Sequence, residues 1–292
     1  MSNLVTRVLF ALIAIPVFVF VIIQGGWLFA LTIALLAGLG AKEFFEMSVH
    51  KAAHPQSFIG ILFSAALPVI AQAESTFNTH LFAVVLVAMV LKILAIELFR
   101  NKPNALLNVA STIAGIAYVG GMFTCLVLLS TLFTEYHIDF LNGTLRTQVK
   151  YYEMFFPTVL MFAMFISIWV CDSAAYFAGM AFGKHKMFPR VSPKKSWEGW
   201  TAGFIASAVA FWCIMHFFYA EFPAHHAVII GALIGIIGPL GDFAESLLKR
   251  DANIKDSSNI LPGHGGILDR FDSVLFVAPT LYIYFRVWIL LS

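Results

Sequence analysis

Charge is what this sequence has least of. Only 12% of its 292 residues are Asp, Glu, Lys or Arg, against 60% that are hydrophobic, and Phe alone occurs 30 times. No polar stretch is long enough to build a soluble domain, so the two soluble domains that the length would permit are excluded. A net charge of +2 is too small for a nucleic-acid partner. Cysteine is scarce as well. Cys125, Cys171 and Cys213 all lie in apolar runs without metal-ligand spacing, which reads as packing and not as a disulfide or zinc framework. The apolar run after Arg7 is followed by no A-x-A-like cleavage site, so an uncleaved first span is expected in place of a signal peptide. No internal repeat or low-complexity tract is evident, which disfavours inverted-repeat transporter architectures.

What the sequence does have is a succession of apolar runs. A bilayer core takes roughly 20 apolar residues per helix, with a range of about 17–25. On that scale candidate spans fall near 8–24, 27–45, 58–73, 80–98, 106–133, 154–182, 199–219, 225–248 and 273–291. The expected fold is therefore all-α, a polytopic integral membrane protein of about nine transmembrane helices. Its organisation reads as N-terminal membrane helices (1–133) acting as scaffold, an outer loop (134–153), and a C-terminal membrane region (154–292) that carries the chemistry.

The basic residues set the orientation. Alternate connections place Arg7, Lys42, Lys51, Arg100, Lys102, Lys184, Lys186, Arg190, Lys194, Lys195, Lys249, Arg250, Lys255 and Arg270 on one face. The other face receives only Arg146 and Lys150, while Lys92 and Arg286 fall inside spans. The rich face is expected to be cytoplasmic, with the N-terminus on that side and the C-terminus outside. The polar loops at 184–198 and 249–272 share it, because two spans separate them.

Against this apolar background, the run from Ser246 to Ser273, SLLKRDANIKDSSNILPGHGGILDRFDS, holds eight charges around Gly263, Gly265 and Gly266. Cations and backbone N–H groups hold phosphate oxygens, and carboxylates hold the metal that bridges them. Asp242 and Glu245 precede this run at helical spacing, with Lys249 a turn further on. A carboxylate in the bilayer core costs about 2.5–3.5 kcal/mol on insertion scales, so such acids point to function. The plainer reading is a Glu245–Lys249 ion pair, with Asp242 capping a helix that resumes after Pro239 and Gly241.

His264 is a candidate phosphate donor or general acid. Asp269 and Asp272, three apart at the start of the last span, are either N-terminal caps or ligands. Asp242 and Asp269 together are the leading pair for Mg²⁺, with waters and substrate oxygens completing the octahedron. Asp172, Glu245, Asp256 and Asp272 are further candidate ligands. Upstream, Ser192-Pro193-Lys194-Lys195-Ser196 sets adjacent lysines among hydroxyls, which suits polyphosphate and equally suits a positive-inside anchor. Lys42, Glu43, Glu46, Glu97 and Arg100 lie at span ends and read as structural.

The run S-x-L-K-R-x₄-K-D-x-S-x₂-L-P-x-H-G-G-I-x-D-R-F-D, from Ser246 to Asp272, resembles the signature of the phosphatidate cytidylyltransferases, or CDP-diacylglycerol synthases. The resemblance extends to the SPKKSWEG segment at 192–199 and to Asp172–Gly183, and so covers about the C-terminal 130 residues. It implies transfer of CMP from CTP to phosphatidic acid, giving CDP-diacylglycerol and pyrophosphate with Mg²⁺ and, in one version, a second metal ion. Carried over by position, it implies metal at Asp242 and Asp269, with Lys249, Arg250 and Arg270 also at the reacting groups. Ser192, Lys194, Lys195, Lys255, His264, Gly265 and Gly266 are then the substrate contacts. It further implies a multi-pass protein of the bacterial inner membrane, with its site at the cytoplasmic ends of the C-terminal helices. CTP, phosphatidic acid and membrane lipids are the partners, and a homodimer is a candidate assembly.

Two other classes remain open at this level. A cation-coupled secondary transporter would use Asp172, Asp242 and Glu245 but leaves the basic glycine loop unexplained. A CTP-using lipid-alcohol kinase would transfer the γ-phosphate and release CDP. A CDP-alcohol phosphotransferase is disfavoured because its D-G-x-x-A-R motif is absent.

Overall fold

A chain crossing a bilayer finds no water for its backbone groups, so each apolar run closes its own hydrogen bonds as a helix. The computed structural model describes residues 3–135, 149–220, 222–261, 263 and 265–291. Most of the expected outer loop at 134–153 lies outside the described residues, as does His264. The helices in chain order are α1 (Asn3–Gln24), α2 (Gly26–Val49), α3 (Ser57–Phe77), α4 (Leu81–Arg100), α5 (Ala105–Gly115), α6 (Met122–Glu135), α7 (Val149–Phe182), α8 (Trp197–Phe218), α9 (Ala224–Asp251) and α10 (Leu268–Leu291). A π-helical turn, Ile116–Gly121, joins α5 to α6, and the two form a single apolar span, Ala105–Phe133. Among the described residues, eight helical segments are long and apolar enough to cross a membrane. The first expected span coincides with α1, whose apolar stretch Leu12–Gln24 is shorter. The all-α, polytopic expectation holds.

Two local features differ from the sequence reading. Pro239 does not interrupt its helix: α9 runs through it from Ala224 to Asp251, so Asp242 lies inside a helix and caps nothing. The segment 184–198 is more than a loop. Strands β1 (Lys186–Phe188) and β2 (Ser192–Ser196) pair antiparallel, with Lys186 opposite Ser196 and Phe188 opposite Ser192.

The chain forms two compact units, each drawn from separate parts of the sequence. One comprises Met1–Thr131 with Leu248–Phe271, and the other Leu132–Leu247 with Asp272–Ser292. The charged run at 248–271 thus packs with the N-terminal helices.

In the first unit, α2 packs against α3 and the π-helical turn. Its core includes Ile33, Phe45, Ile93, Ile116, Phe123 and Leu126, all fully buried. A polar knot is set into this core. Glu97 of α4 accepts hydrogen bonds from Gln56 Nε2 (2.9 Å), Asn108 Nδ2 (2.7 Å) and Arg100 NH1 (2.8 Å). Arg100 also donates to the carbonyl of His54, and Asn108 Oδ1 accepts from the His54 N–H. Glu97 is therefore buried, where the sequence suggested an interfacial side chain.

In the second unit, α7 and α8 lie along one another, and α9 approaches α8 closely at Gly231, where an added Cβ would come 2.6 Å from the Ala208 Cα. Small residues permit such contact where lipid supplies no hydrophobic drive for helix association. An aromatic cluster fills the core: Phe133 meets Phe156 and Phe285 edge-on at 4.6 and 5.1 Å, and Phe156 meets Tyr219 at 5.0 Å.

The knot at Glu97 gives a stability prediction. Glu97→Ala strands a guanidinium and two amides, and breaking a buried pair from one side costs roughly 3 kcal/mol. A lowered Tm of the detergent-solubilised protein is the expected outcome, and an unchanged Tm would show that the knot does not support the unit.

Candidate active site

The charged residues fall into two groups, one in each unit. In the first unit the run after α9 folds back so that Asp269, in the first turn of α10, is surrounded by donors. Lys249 Nζ lies 2.6 Å from Asp269 Oδ1. Asp269 Oδ2 accepts from the Ser257 N–H (2.9 Å), the Ser257 hydroxyl (2.9 Å) and the Gly266 N–H (2.8 Å). Three of these donors are Asp269's own, while the Ser257 hydroxyl, with a single proton, also lies 2.9 Å from a second carboxylate. Both members of the Lys249–Asp269 pair are largely buried, with side-chain exposures of 11% and 9%. Glu245, one turn before Lys249 in α9, is itself fully buried.

The glycines here are required by geometry. Gly265 has φ +80°, in the left-handed region that L side chains rarely adopt. A Cβ on Gly266 would collide with Ser257 Oγ and with the carboxylate of Glu43. Glu43 of α2 is the residue that the sequence did not single out. Its carboxylate accepts from the Ser257 and Ser258 hydroxyls and from the Ile267 and Leu268 N–H groups. The one sequence signal at this position is an acid at a span end, indistinguishable there from its neighbour Glu46, which forms an exposed pair with Lys42 at 3.8 Å. Around this loop Arg250, Lys255, Asp256 and Arg270 are exposed. Arg250 donates to the Ile254 carbonyl, and Lys51 reaches Asp251 at 3.0 Å.

In the second unit three acids from three helices come within electrostatic reach of one lysine. They are Asp172 of α7, Asp242 of α9 and Asp272 of α10, and the lysine is Lys195 of β2. Lys195 Nζ forms an ion pair with Asp242 Oδ2 and lies 4.5 Å from the centre of the Phe243 ring, a cation–π contact. Asp242 Oδ1 also accepts from Ser246 Oγ at 3.3 Å. Lys195 is placed by the hairpin, and the hairpin is held by Glu198, whose carboxylate accepts from the backbone N–H groups of Lys184 and His185, each at 3.2 Å. His185 Nδ1 also meets Glu198, at 2.6 Å. Phe188 packs edge-on to Phe243 at 4.9 Å, fixing the hairpin against α9. Lys194 is exposed and Ser192 half-buried.

Asp242 and Asp269, expected to share an ion, thus belong to different units, and each has an ammonium partner of its own. Among the described residues no three acidic, His or Cys side chains sit closely enough to enclose a metal by themselves. Mg²⁺ does not need that. It keeps several waters and binds through one or two carboxylates plus substrate phosphates. The acids of the second unit fit it chemically, being hard oxygen donors.

The sequence matches known proteins along most of its length. A model of the cytidylyltransferase family matches residues 5–288. A phosphatidate cytidylyltransferase of Staphylococcus saprophyticus is 33% identical over 277 residues, covering 95% of this chain and 97% of that protein. Its counterpart in Bacillus subtilis is 32% identical over 289 residues, with 97% of both chains covered. In Haemophilus influenzae a protein of the same name is 40% identical over 157 residues, about half of each chain.

Proposed function

The chain belongs to the cytidylyltransferase family, and from that premise we propose that it transfers the cytidylyl group of CTP to phosphatidate. An oxygen of the phosphatidate phosphate forms a bond to the α-phosphorus of CTP. The bond from that phosphorus to the β-phosphate bridging oxygen breaks, and pyrophosphate leaves, with CDP-diacylglycerol as the lipid product. The observation that carries this reading is the family match along nearly the whole chain, including the basic glycine run.

The reaction has a mainly electrostatic difficulty. A phosphate monoester is already largely ionised near neutral pH, since its second pKa is about 6, so the nucleophile needs little help from a general base. The barrier lies in bringing one anion onto another and in the charge that grows on the leaving group. Fixed cations lower both. Lys195, held between Asp242 and the Phe243 ring, and exposed Lys194 beside it suit phosphate oxygens. Lys249, Arg250, Lys255 and Arg270 supply the positive charge of the signature run. Asp242, with Asp272 and Asp172, would hold Mg²⁺. When bound, the ion neutralises phosphate oxygens and steadies the leaving pyrophosphate. Asp269 keeps Lys249 and the glycine loop in place.

The protein is a multi-pass membrane protein, and the fourteen-to-two distribution of its loop cations supports a cytoplasmic site. Phosphatidate then arrives from the bilayer and CTP from the cytosol, in what the bacterial origin of the relatives suggests is the inner membrane.

Three outcomes are expected. With CTP labelled separately at the α- and γ-phosphates, α-label enters the lipid phase and γ-label appears in pyrophosphate. Lipid label from the γ position alone would assign a kinase, and solute uptake without CTP a transporter. Cysteines placed at the exposed positions Arg190 or Asn259 should react with an impermeant reagent in inverted vesicles, from the cytoplasmic side, and labelling solely from the outer face would reverse the orientation. Asp242→Asn keeps the side-chain shape but not its charge. It should insert normally, lose turnover by about two orders of magnitude, the scale of roughly 2.7 kcal/mol, and shift the Mg²⁺ titration to higher concentration. Asp269→Asn should lose turnover with a Mg²⁺ titration close to wild type, and a shifted titration would make Asp269 a ligand as well.

A further inference from the structure

Glu43 is set 214 residues before the serine it binds, in a helix that the signature run does not include. It is fully buried, so its carboxylate must take every hydrogen bond from the protein. Four donors meet it. Oε1 accepts from Ser258 Oγ at 2.6 Å and from the Ile267 N–H at 2.8 Å. Oε2 accepts from Ser257 Oγ and from the Leu268 N–H, each at 2.9 Å. Three of these donors are Glu43's own, and the single Ser257 hydroxyl proton is shared with Asp269.

The identity of the donors specifies a carboxylate. Ile267 and Leu268 stand at the start of α10, where backbone N–H groups have no acceptor within their own helix. An anion is favoured there by the helix dipole, so Glu43 caps α10 from a different helix. One backbone N–H points at each oxygen, and a backbone N–H cannot turn round and accept. A glutamine would set its NH₂ group against one of them whichever way the amide is flipped. The same side chain binds both hydroxyls of Ser257-Ser258, and so ties the two ends of the loop together at a single point.

From that point the link reaches the site. Ser257 Oγ lies 2.9 Å from Glu43 Oε2 and also 2.9 Å from Asp269 Oδ2. Asp269 in turn holds Lys249. Gly266, which donates to Asp269, admits no side chain, because a Cβ there would strike both Ser257 and Glu43. Glu43, Ser257, Gly266, Asp269 and Lys249 therefore form one connected arrangement, all within a single compact unit.

We propose that Glu43 is a positioning residue for the transfer reaction, holding residues 257–268 so that Asp269 and Lys249 keep their working geometry. It touches neither substrate nor reacting atoms, and acts through the loop. This inference rests on the transfer reading given above.

The test compares wild-type and Glu43→Gln protein in lipid vesicles by α-label transfer and by amide hydrogen exchange. The variant should lose kcat by at least about tenfold, a change of roughly 1.4 kcal/mol in the barrier. KM for CTP and for phosphatidate should stay close to wild type. Amide exchange should accelerate in the peptide covering 257–268 and remain unchanged in α3 and α4, a pattern that general unfolding does not give. A folded variant with wild-type kcat, or a loss confined to KM, overturns the proposal. An inactive wild type would sink the transfer reading, while faster loop exchange in the variant would still support the anchoring by Glu43 and unaltered exchange would overturn it. Should Glu43→Gln fail to insert, Ser258→Ala replaces it. That change removes a donor that binds Glu43 and not Asp269, so a kcat loss of about threefold (~0.65 kcal/mol) with faster loop exchange is expected. No change in either measurement overturns the proposal.

Discussion

A carboxylate taken out of water must find its hydrogen bonds within the protein, and this requirement organises much of the first compact unit. Three acids meet it there. Glu97 collects an amide from Gln56, an amide from Asn108 and the guanidinium of Arg100. Asp269 collects an ammonium, a hydroxyl and two backbone N–H groups. Glu43 collects two hydroxyls and two backbone N–H groups. Breaking any one of these sets leaves donors as well as a charge unsatisfied, the dearest kind of defect in a medium of low dielectric. The two ends of the glycine loop are tied down for this reason.

The second unit handles its acids differently. Asp172, Asp242 and Asp272 come from three helices, and one lysine answers them. Such an arrangement gathers hard oxygen donors about one ammonium. The Asp242–Lys195 pair keeps the acids partly balanced, and the lysine sits on a hairpin held by Glu198 and by the contact of Phe188 with Phe243. One group is thus rich in hydrogen-bond donors, and the other sets three acids from three helices about one lysine.

The first group sits at the junctions of helix with loop, and the lysine of the second sits just before one. The last turn of α9 and the first turn of α10 flank the signature run, and the hairpin leads directly into α8, whose N-cap Ser196 accepts from the Gly199 N–H. Helix ends are where unsatisfied backbone donors and charged side chains collect, and in a membrane they are also where an apolar substrate tail and an aqueous nucleotide can meet. The exposed apolar side chains along the spans, such as Leu98, Phe99, Leu106, Phe177 and Phe217, need no polar partner because lipid surrounds them.

Much of this was legible in the sequence. Apolar runs of bilayer length dictate helices because the backbone has no other way to satisfy itself, so the all-α membrane fold followed from composition. The family was legible because a signature with many fixed positions survives in one uninterrupted segment; Asp172 and Asp242 stood out as charges in apolar runs, and Lys195, Asp269 and Asp272 as members of the charged loops. Tertiary structure alone decided which acid meets which cation. Spacing along α9 offers Glu245 to Lys249, but no pattern within one helix shows that Asp269, twenty residues further on, lies 2.6 Å from the same lysine. Spacing could not separate Glu43 from Glu46 either. Three residues along α2 put one carboxylate into a cage of four donors and the other beside exposed Lys42. The pattern within a helix gives the face of a side chain, while the donors that wait on that face arrive from a segment more than two hundred residues away.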